Sequence, residues 1–352
     1  MFFCAKIYLQ DLRTLLKYNI SLLLDFTCVF YIAVVTKGEK EKTMKRTFAS
    51  IALAGLLAMG LAGCGGSAAS AATAAATSAS KSAASTAAAA AKVSGSVTAS
   101  GSSALLPLAK AAADSFMNEN PDVTVTCNGG GSGTGLKQVA EGSVDIGDSD
   151  VFAEEKLDAA AAKTLTDHKV ATVTMAAVVS KDLGVANLTS DQLTAIFTGK
   201  TTNWKDVGGP DEAIILVTRP SSSGTRALFK KWAMNGAEEA SNAALETDDS
   251  GTLVQTVTDN KGAIGYVALS YLVNNTSLQA VSIDGVEPTL ENTYNGTYKV
   301  WGYEHMYTKG EGSAAAAAFI SYMTSEGFAP SIEKMGYGVA AKLTDAAVKS
   351  HE

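Results

Sequence analysis

Arg219-Pro220-Ser221-Ser222-Ser223-Gly224-Thr225-Arg226 lies between an apolar run, Ala213 to Val217, and an amphipathic run, Ala227 to Met234. The order predicts a buried strand that feeds a Gly/Ser-rich turn, and a turn that opens a helix. The first helical turn has backbone N–H groups without intrahelical partners, and the helix dipole adds partial positive charge there. Ser223 and Thr225 bring hydroxyl donors, Gly224 lets a ligand approach the main chain, and Arg219 offers a planar fork for two oxygens. Such a turn suits a small tetrahedral oxyanion. It also suits an ordinary N-capped helix beside a surface arginine, so the stretch needs support from elsewhere in the chain.

Two further turns share its grammar of strand end, small hydroxyl and glycine residues, then helix start. They are Ser102-Ser103-Ala104 and Gly131-Ser132-Gly133. Val93 to Ala99 reads as a strand, and a helix follows from about Ala104 to Asn118, with Pro107 in its first turn where a missing N–H costs little. Val123 to Cys127 is the next strand. Gly129-Gly130-Gly131-Ser132-Gly133-Thr134-Gly135 then opens a helix at Leu136 to Glu141, and Asp145 to Gly147 is a strand ending in Asp148-Ser149-Asp150. The start is thus β-α-β-α-β, an α/β fold with a mostly parallel sheet, whose turns gather at one sheet edge.

Val170 to Ser180 is an apolar run long enough to cross between two lobes. Thr189 with Gln192 has capping-box spacing, predicting a helix to Phe197. Thr198-Gly199-Lys200-Thr201 mimics the end of a phosphate-binding P-loop, but position 194 is Thr where that motif needs Gly, so it is rejected. Gly262 to Val267 is a strand, 272–298 a polar hairpin region, Lys299 to Thr308 the return crossing. Helices are expected at Gly312 to Ser325 and Phe328 to Met335.

The folded body is expected at 93–352. Met44 to Cys64 has a basic start (Lys45, Arg46), an apolar centre and Leu61-Ala62-Gly63 before Cys64, the pattern of a lipoprotein signal cleaved before a lipidated cysteine. Residues 44–63 are read as that signal, 64–92 as the lipidated cysteine and an Ala/Ser-rich tether, and 1–43 as an over-extended reading frame ahead of the true initiator Met44. A membrane segment around Leu15 to Val35 is the alternative, weakened by Asn19 and Asp25.

The whole chain of 352 residues has a formal charge of −7. Residues 1–63 hold 8 of its 28 basic and 4 of its 35 acidic residues, so the remainder carries 20 against 31, a charge of −11. That excess disfavours nucleic acid and anionic membrane surfaces as partners. Of four cysteines only Cys127 falls in the body, in a strand, which leaves no intramolecular disulfide and no exposed nucleophile. No metal or other cofactor is implied. The histidines (His168, His305, His351) lie far in sequence from the Ser-Gly turns, and Gly-x-Ser-x-Gly, Ser-x-x-Lys and His-Glu-x-x-His spacings are missing. A serine hydrolase or phosphatase is therefore poorly supported. A surface adhesin would not need three converging anion turns. Trp204, Trp232, Trp301, Tyr303 and Tyr307 suit packing better than sugar stacking.

Ala99 to Ala104, Gly129 to Gly135, Asp145 to Asp150, Ile196-Phe197-Thr198-Gly199-Lys200, Arg219 to Thr225 and Gly262 to Tyr266 together resemble the phosphate-binding lipoproteins of the bacterial phosphate ABC importer (PstS-type), over essentially all of 93–340. The resemblance implies a two-lobed type II periplasmic-binding-protein fold with two crossover hinges. Lobe one would be 93–172 plus 299–352, and lobe two 173–298. It implies a monomeric, non-catalytic receptor, anchored outside the cytoplasm through Cys64, that hands inorganic phosphate to membrane permease subunits. The ligand would meet Ser103, the Ala104 main-chain N–H, Ser132 and Asp150 from lobe one. Arg219, Ser223, the Gly224 main chain and Thr225 would come from lobe two. Some relatives carry a bulkier residue where Ala104 stands, so only its backbone is carried over.

Asp150 argues for phosphate over other oxyanions such as sulfate or molybdate. A carboxylate beside an anion repels it, yet it can accept a proton that the ligand still carries. Phosphate carries one near neutral pH and sulfate does not, so sulfate would meet an acceptor that finds no donor. Whether Asp148 also faces the ligand is left open by the sequence.

Overall fold

The computed structural model describes residues 93–351. The signal, the lipidation at Cys64, the tether and the 1–43 extension lie outside the described residues.

The chain opens with β1 (Gly95–Gly101), α1 (Leu106–Glu119), β2 (Val123–Gly129), α2 (Ser132–Glu141) and β3 (Ile146–Ser149). β1 runs parallel to both β2 and β3, the β-α-β-α-β start that the sequence implies. A single turn, α3 (Ala159–Ala162), precedes β4 (Leu165–Ser180), which at 16 residues is the longest described strand. There follow β5 (Asn187–Leu188), α4 (Ser190–Phe197), β6 (Ile215–Thr218), α5 (Gly224–Ala233), β7 (Leu245–Glu246), α6 (Ser250–Asp259), β8 (Ala263–Ala268) and β9 (Leu278–Ile283). α7 (Leu290–Tyr294), β10 (Trp301–Lys309), α8 (Ala314–Met323), α9 (Ala329–Lys334) and α10 (Asp345–Lys349) complete the order.

The strands run β2-β1-β3-β10-β4-β8-β6-β7, with β9 beside β4 and β5 beside β9. Pairing within the βα units is parallel, and the antiparallel pairs all involve β4 or β10. β4 explains how two half-sheets join. Its stretch to Thr174 pairs with β10, and from Met175 it pairs with β8 and then β9. Val170 to Ser180 is buried throughout, so the unbroken apolar run reflects a strand covered on both faces. In one half, α1 and α8 pack through Phe116 and Phe319, with ring centroids 5.6 Å apart. In the other, Phe229 stacks on Tyr266 at 4.3 Å and Phe197 meets both edge-on. Trp204, Trp301 and Tyr307 are buried. The Cys127 thiol is buried and pushed up to about 12, chiefly by burial, as suits an inert strand residue.

Some local expectations need correction. α2 starts at Ser132 rather than Leu136, so the glycine-rich turn is itself the first helical turn. Glycine disfavours helix by about 1 kcal/mol, but here close packing decides. A Cβ on Gly135 would sit 2.3 Å from the Ser100 carbonyl oxygen, so glycine lets α2 lie directly on the sheet. α1 begins at Leu106, two residues late, because Ser102 first winds residues 102–105 into a turn. Residues 272–298 are not a hairpin: β9 pairs antiparallel with β4 and parallel with β5, and α7 follows. The Thr189–Gln192 capping box is present with both reciprocal bonds. Gly199 and Lys200 terminate α4 rather than opening a helix, in line with rejecting a P-loop.

Candidate functional site

Each βα turn delivers its polar residues to one place because parallel strands present their carboxyl ends on one edge. From β1, Ser102 Oγ accepts the N–H groups of Ala104 (3.0 Å) and Leu105 (2.9 Å). The Ala104 N–H, expected to face a ligand, is thus engaged by its own turn. From β3 comes Asp150, 2% exposed. Its N–H donates to Ser132 Oγ at the start of α2 (3.0 Å), Ser102 Oγ donates to its Oδ1, and Thr225 Oγ1 donates to its Oδ2 at 2.8 Å. Asp150 therefore joins both half-sheets.

From β6, Arg219 is fully buried. Its Nη1 donates to Ser103 Oγ (3.3 Å) and the Asp248 carbonyl (3.2 Å), and its Nη2 to Ser250 Oγ (2.8 Å). Its Nε is buried with no hydrogen-bond partner. Ser223 caps α5, its Oγ accepting the Arg226 N–H at 3.3 Å, and Gly224 and Thr225 are the first two residues of that helix. Ser103, Ser132, Asp150, Arg219, Ser223, Gly224 and Thr225 are all brought together and buried.

Four participants escaped the sequence reading. Ser250, the first residue of α6, lies 3.0 Å from Ser103 Oγ. Asp248 stands beside Arg219: burial raises its carboxyl pKa and the guanidinium opposes that rise. Tyr271 donates its hydroxyl to the Ser103 carbonyl (2.7 Å). The Lys156 ammonium donates to the carbonyls of Ser221 (2.7 Å) and Ser223 (3.1 Å), and burial lowers its pKa. Ser250-Gly251-Thr252 was detectable, because it repeats Ser223-Gly224-Thr225 letter for letter.

The turns of α2 and α5 touch: the Gly133 N–H donates to the Ser222 carbonyl at 2.9 Å. A Cβ on Gly224 would lie 2.2 Å from Ser132 Oγ and 3.0 Å from Asp150 Cβ. Gly224→Ala therefore pushes the two turns apart; we expect anion affinity, measured by calorimetry, to drop roughly 10- to 100-fold with thermal stability little changed, since a contact must open by about 1 Å.

The arrangement can hold an oxyanion by hydroxyls, helix N-termini and one guanidinium, with a carboxylate placed to accept a proton. The histidines are occupied elsewhere. His305 Nδ1 lies 2.7 Å from Asp167, His168 contacts Thr308, and His351 stacks between Trp232 and Trp301. Trp232, Tyr303, His351 and Lys169 line a cavity of about 500 Å³ that Asp150 also borders. Among the described residues no helix is long and apolar enough to cross a membrane.

A family model described as the PBP superfamily domain matches residues 86–327. The chain is 53% identical over 241 residues to the phosphate-binding protein PstS of Bacillus subtilis, covering 68% of this chain and 79% of that one. Among solved structures it is similar to a putative phosphate ABC transporter substrate-binding protein with bound phosphate from Clostridium perfringens (TM-score 0.63, 33% identity, 69% of this chain and 98% of that one). An ABC-type phosphate transport receptor from Vibrio cholerae is also similar (TM-score 0.56, 28% identity, 69% and 99% of the two chains).

Proposed function

Because the chain belongs to the PBP superfamily and, within it, to the PstS phosphate-binding proteins, we propose that it captures inorganic phosphate and delivers it to an ABC permease. The observation that carries this reading is Asp150, a buried carboxylate that takes hydroxyl donors from both half-sheets beside a buried guanidinium. Ser103, Ser132, Ser223, Arg219 and the main-chain N–H groups of Gly224 and Thr225 supply donors to the ligand oxygens, the Thr225 hydroxyl being committed to Asp150, and Asp150 accepts the ligand's proton. Ser250 joins them as a further hydroxyl from α6. The Ala104 N–H reaches the ligand only if it leaves Ser102 Oγ.

Lobe one comprises 93–172 with 299–352, and lobe two 173–298. The switch of β4 from β10 to β8 between Thr174 and Met175, and the Met175 N–H bond to the Val300 carbonyl, support those crossings as hinges. The protein binds rather than transforms its ligand, as its relatives' names describe for substrate-binding transport proteins. It acts as a monomer outside the cytoplasm, held to the membrane by a lipid on Cys64, a reading that rests on the sequence around Leu61-Ala62-Gly63-Cys64.

Calorimetric titration of the purified protein tests this. Phosphate should bind about 1,000-fold more tightly than sulfate at neutral pH, because a site built around a ligand's proton strongly rejects the analogue that lacks it. Equal affinities would point to a general oxyanion receptor.

A further inference from the structure

Behind Asp150 the sheet carries two more carboxyls. β10 runs antiparallel to β3 with Met306 opposite Asp148 and His305 opposite Ser149. Alternation then places Glu304, Asp150 and Asp148 on one face. Asp148 and Glu304 are 0% exposed. Asp148 faces Asp150 and, on β2, Cys127; Glu304 faces both aspartates and Tyr337 from the C-terminal segment. Every one of these facing groups is an acid. On its other side Asp150 acts on Lys156, Asp248 and Tyr271. Among the described residues no such group is arranged to hold a metal ion.

If all three carboxyls were ionised, no oxygen of Asp148 or Glu304 would have a hydrogen-bond donor. Leaving such charges buried costs several kcal/mol each, and a carboxyl so placed keeps its proton. Burial, followed by the charge of Asp150, pushes Asp148 up to about 8. The same two causes push Glu304 well above the usual carboxylate range. A proton on Glu304 turns its contact with Asp150 into a hydrogen bond. That bond completes the surroundings of Asp150. A carboxylate has about four lone-pair positions. Ser102 and Thr225 fill one on each oxygen, Glu304 fills a third, and one is left for the ligand's proton.

We propose that Glu304 and Asp148 are proton-bearing positioning residues of the phosphate site: Glu304 donates to Asp150 and fixes the acceptor position that reads the ligand's proton, while Asp148 keeps the wall behind it neutral. This rests on the phosphate reading of the site. A bound dianion holds both protons more tightly than the free protein does. Below the free protein's pKa values affinity is therefore flat with respect to this pair. Above them, binding must recruit a proton and affinity falls as pH rises.

The test is calorimetric titration with inorganic phosphate from about pH 7 to about pH 10, in buffers of different ionisation enthalpy, for the wild type and for Asp148→Asn/Glu304→Gln. Between about pH 8 and about pH 10 the wild type should lose about tenfold or more in affinity and take up close to one proton per phosphate, whereas the double variant should lose less than about threefold and take up none. A decline that persists undiminished in the variant belongs to another group, Lys156 first, and overturns the proposal. So does a wild-type profile with no alkaline decline. Should the double variant not fold, Glu304→Gln, whose amide still donates to Asp150 without titrating, is compared with Asp148→Asn: each should keep only the part of the alkaline decline that belongs to the remaining carboxyl, and a Glu304→Gln profile identical to that of the wild type overturns the role of Glu304. A wild type that binds no phosphate at any pH overturns the phosphate reading itself, a result distinct from every one above.

Discussion

Replacing Arg219 with alanine should weaken phosphate binding by about 100- to 10,000-fold while the protein stays folded. Charge-assisted hydrogen bonds contribute about 1.5–3 kcal/mol each, and Arg219 can supply two of them, one from its unpartnered Nε and one from the Nη2 N–H that is held only at 3.5 Å by the Tyr266 carbonyl. At about 1.4 kcal/mol per tenfold change, losing both spans that range. The structure also says why folding should survive. Arg219 gathers Ser103, Ser250 and the Asp248 carbonyl around itself, but these belong to turns that are held independently by their own caps. Removing a buried cation also removes its desolvation cost. The visible consequence should be at Asp248, whose carboxyl pKa the guanidinium holds down against burial and which should rise further in the variant. Arg219→Lys separates charge from shape. It keeps the cation but not the planar fork, so its affinity should fall between wild type and alanine. Calorimetry for affinity and thermal unfolding for stability check both variants; an alanine variant that binds as before would move the anion elsewhere in the molecule.

The parts of this site written in short stretches of sequence were the legible ones. A strand, a small-residue turn and a helix start lie within ten residues from Ile215 to Gly224, and the capping box at Thr189 spans four. Ser250 shows a limit of a different kind. Its Ser-Gly-Thr triplet is identical to that at Ser223, but Asp248 and Asp249 precede it and suggest a helix start that repels anions. In the structure Asp249 turns its carboxylate back to cap α6 at the Thr252 N–H, and Asp248 is balanced by Arg219. Glu304 could not have been found this way. It meets Asp150 only through the antiparallel register of β10 on β3, which joins residues more than 150 positions apart. Long-range register depends on which strands become neighbours, and no local pattern states that. The misplaced start of α2 has the opposite origin: glycine's low helix propensity is real, but close contact between Gly135 and β1 outweighs it.

Asp150→Asn should change what the site prefers more than how well it folds. The amide keeps one acceptor oxygen and replaces the other with a donor, and each carboxylate oxygen now faces a hydroxyl, from Ser102 or Thr225. A hydroxyl can reverse from donor to acceptor by rotation, so one of the two turns round and the packing is retained. The ligands feel this differently. Loss of a negative charge helps phosphate and sulfate alike, since both are anions. Loss of the proton acceptor costs phosphate alone, and gain of an N–H donor helps sulfate, whose oxygens accept everywhere. The ratio of the two affinities is therefore the sensitive quantity, and it should shift toward sulfate by roughly 100-fold, the size of one unpaired buried polar group corrected and one created. Competition of sulfate against bound phosphate measures that ratio directly. An unchanged ratio would mean that the wild type does not read the ligand's proton at Asp150, and phosphate and sulfate are too alike in size and shape for the pocket's dimensions to take over that task.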